Sequence, residues 1–163
     1  MAITGAEVVY AAKKGAAWGT AVALGAGNGF LALPWSADPT NGTIVDDSLG
    51  QYFATNATPG QTKLDPSINA YLRYSDPMLL SMIAAFFGTA GVPVTHAAGT
   101  LSKDHILKIA KQVDGLFFTI AAKLGTGFVE EVPSFKIAKI VITGETGKPL
   151  QVQLSGPGFD LVA

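Results

Sequence analysis

The stretch Leu107-Lys108-Ile109-Ala110-Lys111-Gln112-Val113-Asp114-Gly115-Leu116-Phe117-Phe118-Thr119-Ile120-Ala121-Ala122 carries the strongest fold signal in the chain. Asp114-Gly115 at its centre accepts the positive φ angles of a two-residue type I′ turn. A turn there sets a register in which Val113 faces Leu116, Ile109 faces Ile120, Leu107 faces Ala122 and Lys111 faces Phe118. That face is apolar apart from one lysine. The other face, with Lys108, Gln112, Phe117, Thr119 and Lys123, is largely polar, as in an antiparallel sheet covered on one side. A second hairpin is predicted between Lys136 and Ser155. It runs out to Thr143, turns through Gly144-Glu145-Thr146-Gly147 and returns from Lys148. Leu150, Val152 and Leu154 then point one way, and Gln151, Gln153 and Ser155 the other.

Upstream the elements are short, punctuated by 19 Gly and 9 Pro. Strands are predicted at 8–12, 30–33, around 43–45, and at 67–74, where Ile68, Ala70 and Leu72 share a face. Ser36 to Gly42 is turn chemistry throughout. Lys13–Thr20, Gly50–Gln61 and Thr89–Gly99 are predicted loops. One helix is expected over about 76–87. Ser75 or Asp76 caps it, Pro77 occupies the first turn where a missing N–H costs nothing, and Gly88 stops it. Leu79, Leu80, Met82, Ile83, Phe86 and Phe87 form its apolar stripe.

The 163 residues predict a single β-rich domain, 1–163. Hydrophobic residues make up 48% and charged residues 14%, against about 25% charged in an ordinary soluble domain. Mean hydropathy is +0.36, yet the longest mostly apolar run, Met78 to Phe87, is too short to span a bilayer, which takes about 20 residues. The formal charge of −1 and the single arginine, Arg73, argue against a polybasic nucleic-acid surface. The absence of cysteine excludes disulfides, thiolate metal sites and a cysteine nucleophile. Residues 1–7 lack the basic and apolar regions of a signal peptide. A surface so poor in charge fits a subunit covered by copies of itself.

No catalytic or metal-binding constellation is visible, and no cofactor is implied. Gly25-Ala26-Gly27-Asn28-Gly29-Phe30 places its third glycine one position early for a dinucleotide loop. Gly144-Glu145-Thr146-Gly147-Lys148-Pro149 has proline where a P-loop needs Ser or Thr, and reads as a hairpin turn. His96 and His105 have no ligand partner at metal spacing. Asp46-Asp47 and Glu130-Glu131 are adjacent pairs, which a strand sends to opposite faces. Trp18 and Trp35 sit beside Gly or Pro in loop-like stretches. Each is either a core plug or an anchor at a contact between copies.

The order of three groups of motifs resembles the tail tube (major tail) proteins of long-tailed bacteriophages. The first is Val8-Val9-Tyr10-Ala11-Ala12-Lys13-Lys14 followed by Trp18-Gly19-Thr20. The second is Leu72-Arg73-Tyr74-Ser75-Asp76-Pro77-Met78-Leu79-Leu80 with Phe87-Gly88-Thr89. The third joins Asp114 to Ala121, Val132 to Ile137 and Gly147 to Val152. The resemblance spans most of the chain through short, degenerate motifs. Many relatives are longer, so this chain is a compact member or one half of a longer protein.

The resemblance implies a β-sandwich or partly open barrel of antiparallel hairpins flanked by one helix. It implies a structural virion protein, not an enzyme, forming six-fold rings that stack into a tube for DNA delivery. The implied partners are sister copies, tail terminator, tape measure and tail tip proteins, and DNA in transient, non-specific passage. The implied location is the virion tail, assembled in the host cytoplasm. Trp18, Gly19, Trp35, Tyr52, Phe53 and Pro93 are the expected subunit-interface residues. Gln112, Thr119, Gln151 and Gln153 are the expected lumen-facing ones, since DNA must slide and not bind. Two other readings share the composition: a different self-assembling virion or appendage subunit, such as a capsid decoration or pilus-like protein, and a small monomeric β-barrel that holds an apolar ligand.

Overall fold

The computed structural model describes residues 8–45, 57–73, 75–88, 94–95, 103–104, 107–110, 115–125 and 128–162. In chain order the strands are β1 Val8–Lys14, β2 Gly29–Phe30, β3 Pro39–Val45, β4 Ala57–Leu64, β5 Ser67–Tyr71, β6 Val94–Thr95, β7 Lys103–Asp104, β8 Phe118–Leu124, β9 Phe128–Phe135, β10 Lys139–Thr143, β11 Gln151–Ser155 and β12 Gly158–Phe159. The helix α1, Pro77–Phe87, lies between β5 and β6. A seven-stranded sheet has the order β2-β1-β8-β9-β12-β4-β3. A three-stranded sheet has the order β10-β11-β5, and β6 pairs with β7. Every registered pair is antiparallel. Among the described residues the fold is therefore mainly β with one α-helix, as the sequence predicts.

The two larger sheets enclose the core. Ala12, Phe118, Ile120, Val132 and Phe135 come from the large sheet, and Ile68, Ala70, Val152 and Leu154 from the small one. Leu79, Met82, Ile83 and Ala85 of α1 join the same cluster. Alternation explains the small sheet: in β5 and β11 every second residue is buried. The helix obeys its predicted signals. Asp76 accepts the N–H groups of Met78 and Leu79, Pro77 follows the cap, and Gly88 closes the end in the left-handed conformation.

The Lys136–Ser155 hairpin forms, but its paired strands are Lys139–Thr143 and Gln151–Ser155, so the connection is longer than the expected Gly144–Gly147 turn and Leu150 is left exposed. Val152 faces Ile142 and Leu154 faces Ile140, and Lys148 donates its N–H to the Glu145 carbonyl within the turn.

The Asp114-Gly115 hairpin does not form as predicted. Gly115 has the expected positive φ of 68°, but residues 107–110 form no strand. Ile109 is exposed, and Ala110 donates its N–H to the Phe87 carbonyl at the end of α1. Both edges of β8 are already occupied. β1 pairs with it from Val8↔Leu124 to Lys14↔Phe118, and β9 pairs along the other side. A local turn preference is outweighed by central pairing that buries residues 117–122 on both faces. Two segments predicted as turn or loop are also strand. Pro39–Gly42 runs in β3, where an edge position tolerates proline. Residues 57–61 run in β4. The β3–β4 register shifts between Asn41 and Thr43. There Gly60 packs so closely on the Gly42 carbonyl that a side chain would collide with it.

Candidate functional site

Register assigns the side chains of the large sheet to two faces. The inner face packs on the core. The outer face takes Val9, Lys123 and Val129 in one row, and Ala11, Ala121, Glu131 and Val162 in the next. Phe159, opposite Ser134, lies further along. Beyond β12 the chain keeps pairing with β9, because Val162 and Glu131 exchange backbone hydrogen bonds. Between them Asp160 takes a positive φ of 57°. This irregularity accompanies the β8–β9 register shift between Phe118 and Ile120.

The loop 15–25 lies across one end of this outer face, held by two buried hydroxyls. Thr119 Oγ1 accepts the Val22 N–H at 3.0 Å and donates to the Pro133 carbonyl at 2.8 Å. Ser134 Oγ accepts the Gly19 N–H at 2.9 Å. Thr119 was expected to line a lumen, and the structure corrects this. It is 0% exposed, and its polarity serves the loop backbone and the carbonyl at the bulge. We expect Thr119→Val, which keeps the shape and removes the hydroxyl, to cost about 2 kcal/mol by orphaning two backbone groups. Urea denaturation checks this, and an unchanged midpoint would remove the clamp from the account.

The loop presents Trp18, which is 46% exposed. Its ring meets Phe117 edge to face at 5.5 Å and Phe159 at 6.4 Å. Gly19, with φ +81°, passes so close to Phe159 that a Cβ would sit 3.2 Å from the ring. Trp18, Phe159, Val162, Val129 and Val9 are all exposed large apolar residues. Together they make an apolar strip on the outer face, interrupted by Lys123 and Glu131. Of these five residues only Trp18 stands out in the sequence, as a large aromatic beside glycine. Phe159, Val162, Val129 and Val9 carry a signal only once register is known, because an exposed and a buried valine look alike in sequence.

The outer face of the small sheet has a different chemistry. Gln151 and Gln153 are exposed, as predicted, and stand across from Tyr71 and Asn69 on β5 and from Thr143 and Val141 on β10. Gln153 donates to the Ser67 hydroxyl at 3.1 Å. Lys139, paired with Ser155, is the one charged side chain in these rows.

Trp35 lies elsewhere, half-buried at one end of the sandwich. Its indole N–H donates to Glu130 Oε2 at 3.2 Å, and its ring meets Tyr10 edge to face. As the adjacent-residue argument predicts, Glu130 turns to this side while Glu131 lies on the outer face. The predicted interface residues Tyr52, Phe53 and Pro93, the predicted lumen residue Gln112, and both histidines lie outside the described residues. Among the described residues no group of three or more His, Cys, Asp or Glu is placed to hold a metal ion. No helix among them is long and apolar enough to cross a membrane.

No protein-family profile and no curated protein matches the chain. Solved structures do share the fold. A chain of the PVC sheath-tube complex in the extended state, from an extracellular contractile injection system, superposes with a TM-score of 0.56 at 10% identity, covering 99% of this chain and 90% of that one. A chain of the PVC sheath/tube terminator in the extended state superposes with a TM-score of 0.54 at 11% identity, covering 99% and 96%.

Proposed function

We propose that this chain, acting as one unit over 1–163, is the subunit of a hollow tail tube. Copies join side by side into six-fold rings and the rings stack. The tube conducts DNA from a virion tail, with terminator, tape measure and tail tip proteins completing the assembly. The observation that carries this reading is the apolar strip of Trp18, Phe159, Val162, Val129 and Val9 on the outer face. Exposed large apolar side chains gathered on one face call for a partner, and in a chain so short of charge the readiest partner is a sister copy. The fold shared with chains of tube-containing assemblies supports the same reading. The amide-rich face around Gln151 and Gln153, with Lys139 as the one charged side chain in its rows, suits the lumen. A wall with so little positive charge grips phosphate weakly, so DNA slides.

Negative-stain microscopy of the purified protein tests the assembly. Hollow tubes or six-fold rings are expected. A different lattice would favour another appendage subunit, and lone particles at high concentration would overturn the proposal. The lumen assignment has its own test, helped by the lack of native cysteine. In assembled tubes, a Gln153→Cys variant should react with a small maleimide and resist one carried on a protein wider than the bore. Equal labelling by both would place Gln153 outside.

A further inference from the structure

The open end of the sandwich beside Trp35 holds a cavity of about 360 Å³, on the core side of the large sheet and away from the apolar strip. Its chemistry is mixed in an informative way. Leu124 and Leu161 contribute apolar wall, Tyr10 and Trp35 contribute aromatic rings, and Glu130 and Asp38 contribute carboxylates. None of its described lining residues is basic.

Glu130 is the organising group. One carboxylate oxygen takes the Trp35 indole N–H, which fixes the side chain and leaves the other oxygen for a second donor. Burial, and then the charge of Glu130, lift the Tyr10 hydroxyl above its ordinary value, partly countered by a hydrogen bond from the Trp35 backbone. Tyr10 therefore stays neutral and leaves the cavity's charge negative. A half-enclosed site with aromatic rings, two carboxylates and apolar walls favours a cation with an alkyl stem. The ammonium is attracted to ring faces and carboxylate while the stem covers the leucines.

We infer that this cavity receives the side chain of a lysine from a second copy of the chain. The occupant follows from charge complementarity and composition. Ten of the eleven basic residues are lysines, and Lys14 stands exposed at the end of β1, outside both the apolar strip and the Gln151–Gln153 face. The inference rests on the self-assembly proposed above and adds a contact distinct from the apolar strip.

Two measurements test it. In the first, assembly of wild type and Glu130→Gln is compared by sedimentation across a salt series. Glutamine keeps an acceptor for the Trp35 indole and removes only the charge. The concentration needed for assembly should rise about tenfold, and the salt dependence should flatten, while the near-UV circular dichroism stays native. Assembly by Glu130→Gln identical to wild type at every salt concentration would overturn the inference and leave the tube proposal standing. A wild-type chain that never assembles would overturn both.

The second measurement reads the cavity directly. The chain has two tryptophans, so in the Trp18→Ala variant the fluorescence belongs to Trp35 alone. n-Butylammonium should shift that emission at concentrations about tenfold below those needed with n-butanol, and Glu130→Gln should abolish the difference. Equal responses to amine and alcohol would show an apolar pocket, not a lysine site, and overturn the inference. Should Trp18→Ala fail to fold, the sedimentation comparison decides alone.

Discussion

Replacing Asp76 with alanine is expected to destabilise the chain by about 3 kcal/mol, the largest stability loss foreseen for a polar position. The carboxylate is 7% exposed and accepts three backbone N–H groups. Oδ1 takes those of Met78 and Leu79 at 3.2 and 3.1 Å, and Oδ2 takes that of Leu31 at 3.1 Å. Losing an N-cap costs about 1 kcal/mol. Leaving a third donor unpaired near the core adds about 1–3 kcal/mol. The Leu31 bond has a second consequence. It ties the start of α1 to the chain leaving β2, so the same side chain caps the helix and fixes where the helix meets the large sheet. In a chain of this size the loss corresponds to a melting temperature about 10 °C lower. Asp76→Ser restores a cap but is too short to reach Leu31, and should recover about a third of the loss. A change below about 0.5 kcal/mol for Asp76→Ala, within the range of ordinary surface substitutions, would show that water replaces all three contacts.

Asp76 also shows which parts of the fold are legible in sequence. Cap, first-turn proline, apolar stripe and terminal glycine are local signals, and they place α1 to within a residue or so. The Lys136–Ser155 hairpin is local too, and Val152 and Leu154 turn inward as the alternation predicts, though Leu150 falls in the connection and is exposed. The Asp114-Gly115 turn carries an equally good local signal, yet the strand after it pairs with β1, more than a hundred residues away in sequence. Nothing near Phe118 records that β1 competes for that edge. Thr119 fails for a related reason. A hydroxyl among apolar neighbours suggests a wet face until the loop 15–25, whose backbone it satisfies, is seen above it. The candidate site follows the same rule. Trp18 and Trp35 stand out as large aromatics beside glycine and proline. Their separate environments, one on an apolar strip and the other against a carboxylate, depend on which strands the sheet brings together.

Trp18→Ala should raise the concentration needed for assembly about thirtyfold or more while the single chain stays folded. Tryptophan buried in an apolar contact commonly carries 2 kcal/mol or more, and each 1.4 kcal/mol is a factor of ten. The fold is expected to survive because the loop that carries Trp18 is held independently, by Ser134 on the Gly19 N–H and Thr119 on the Val22 N–H. The half-exposed ring contributes its edge contacts with Phe117 and Phe159, worth about 1–2 kcal/mol within the protomer. In a closed ring every subunit repeats the damaged contact, so the assembly loss outgrows the stability loss. Phe159→Ala, which removes the ring beside Trp18, should act in the same direction with smaller amplitude. Light scattering reads assembly and circular dichroism reads the fold. If both collapse together, Trp18 is a core residue; if assembly is untouched, the strip is not where copies meet. Only assembly lost with the fold intact matches a side chain that the protomer half covers and a neighbouring copy covers the rest of the way.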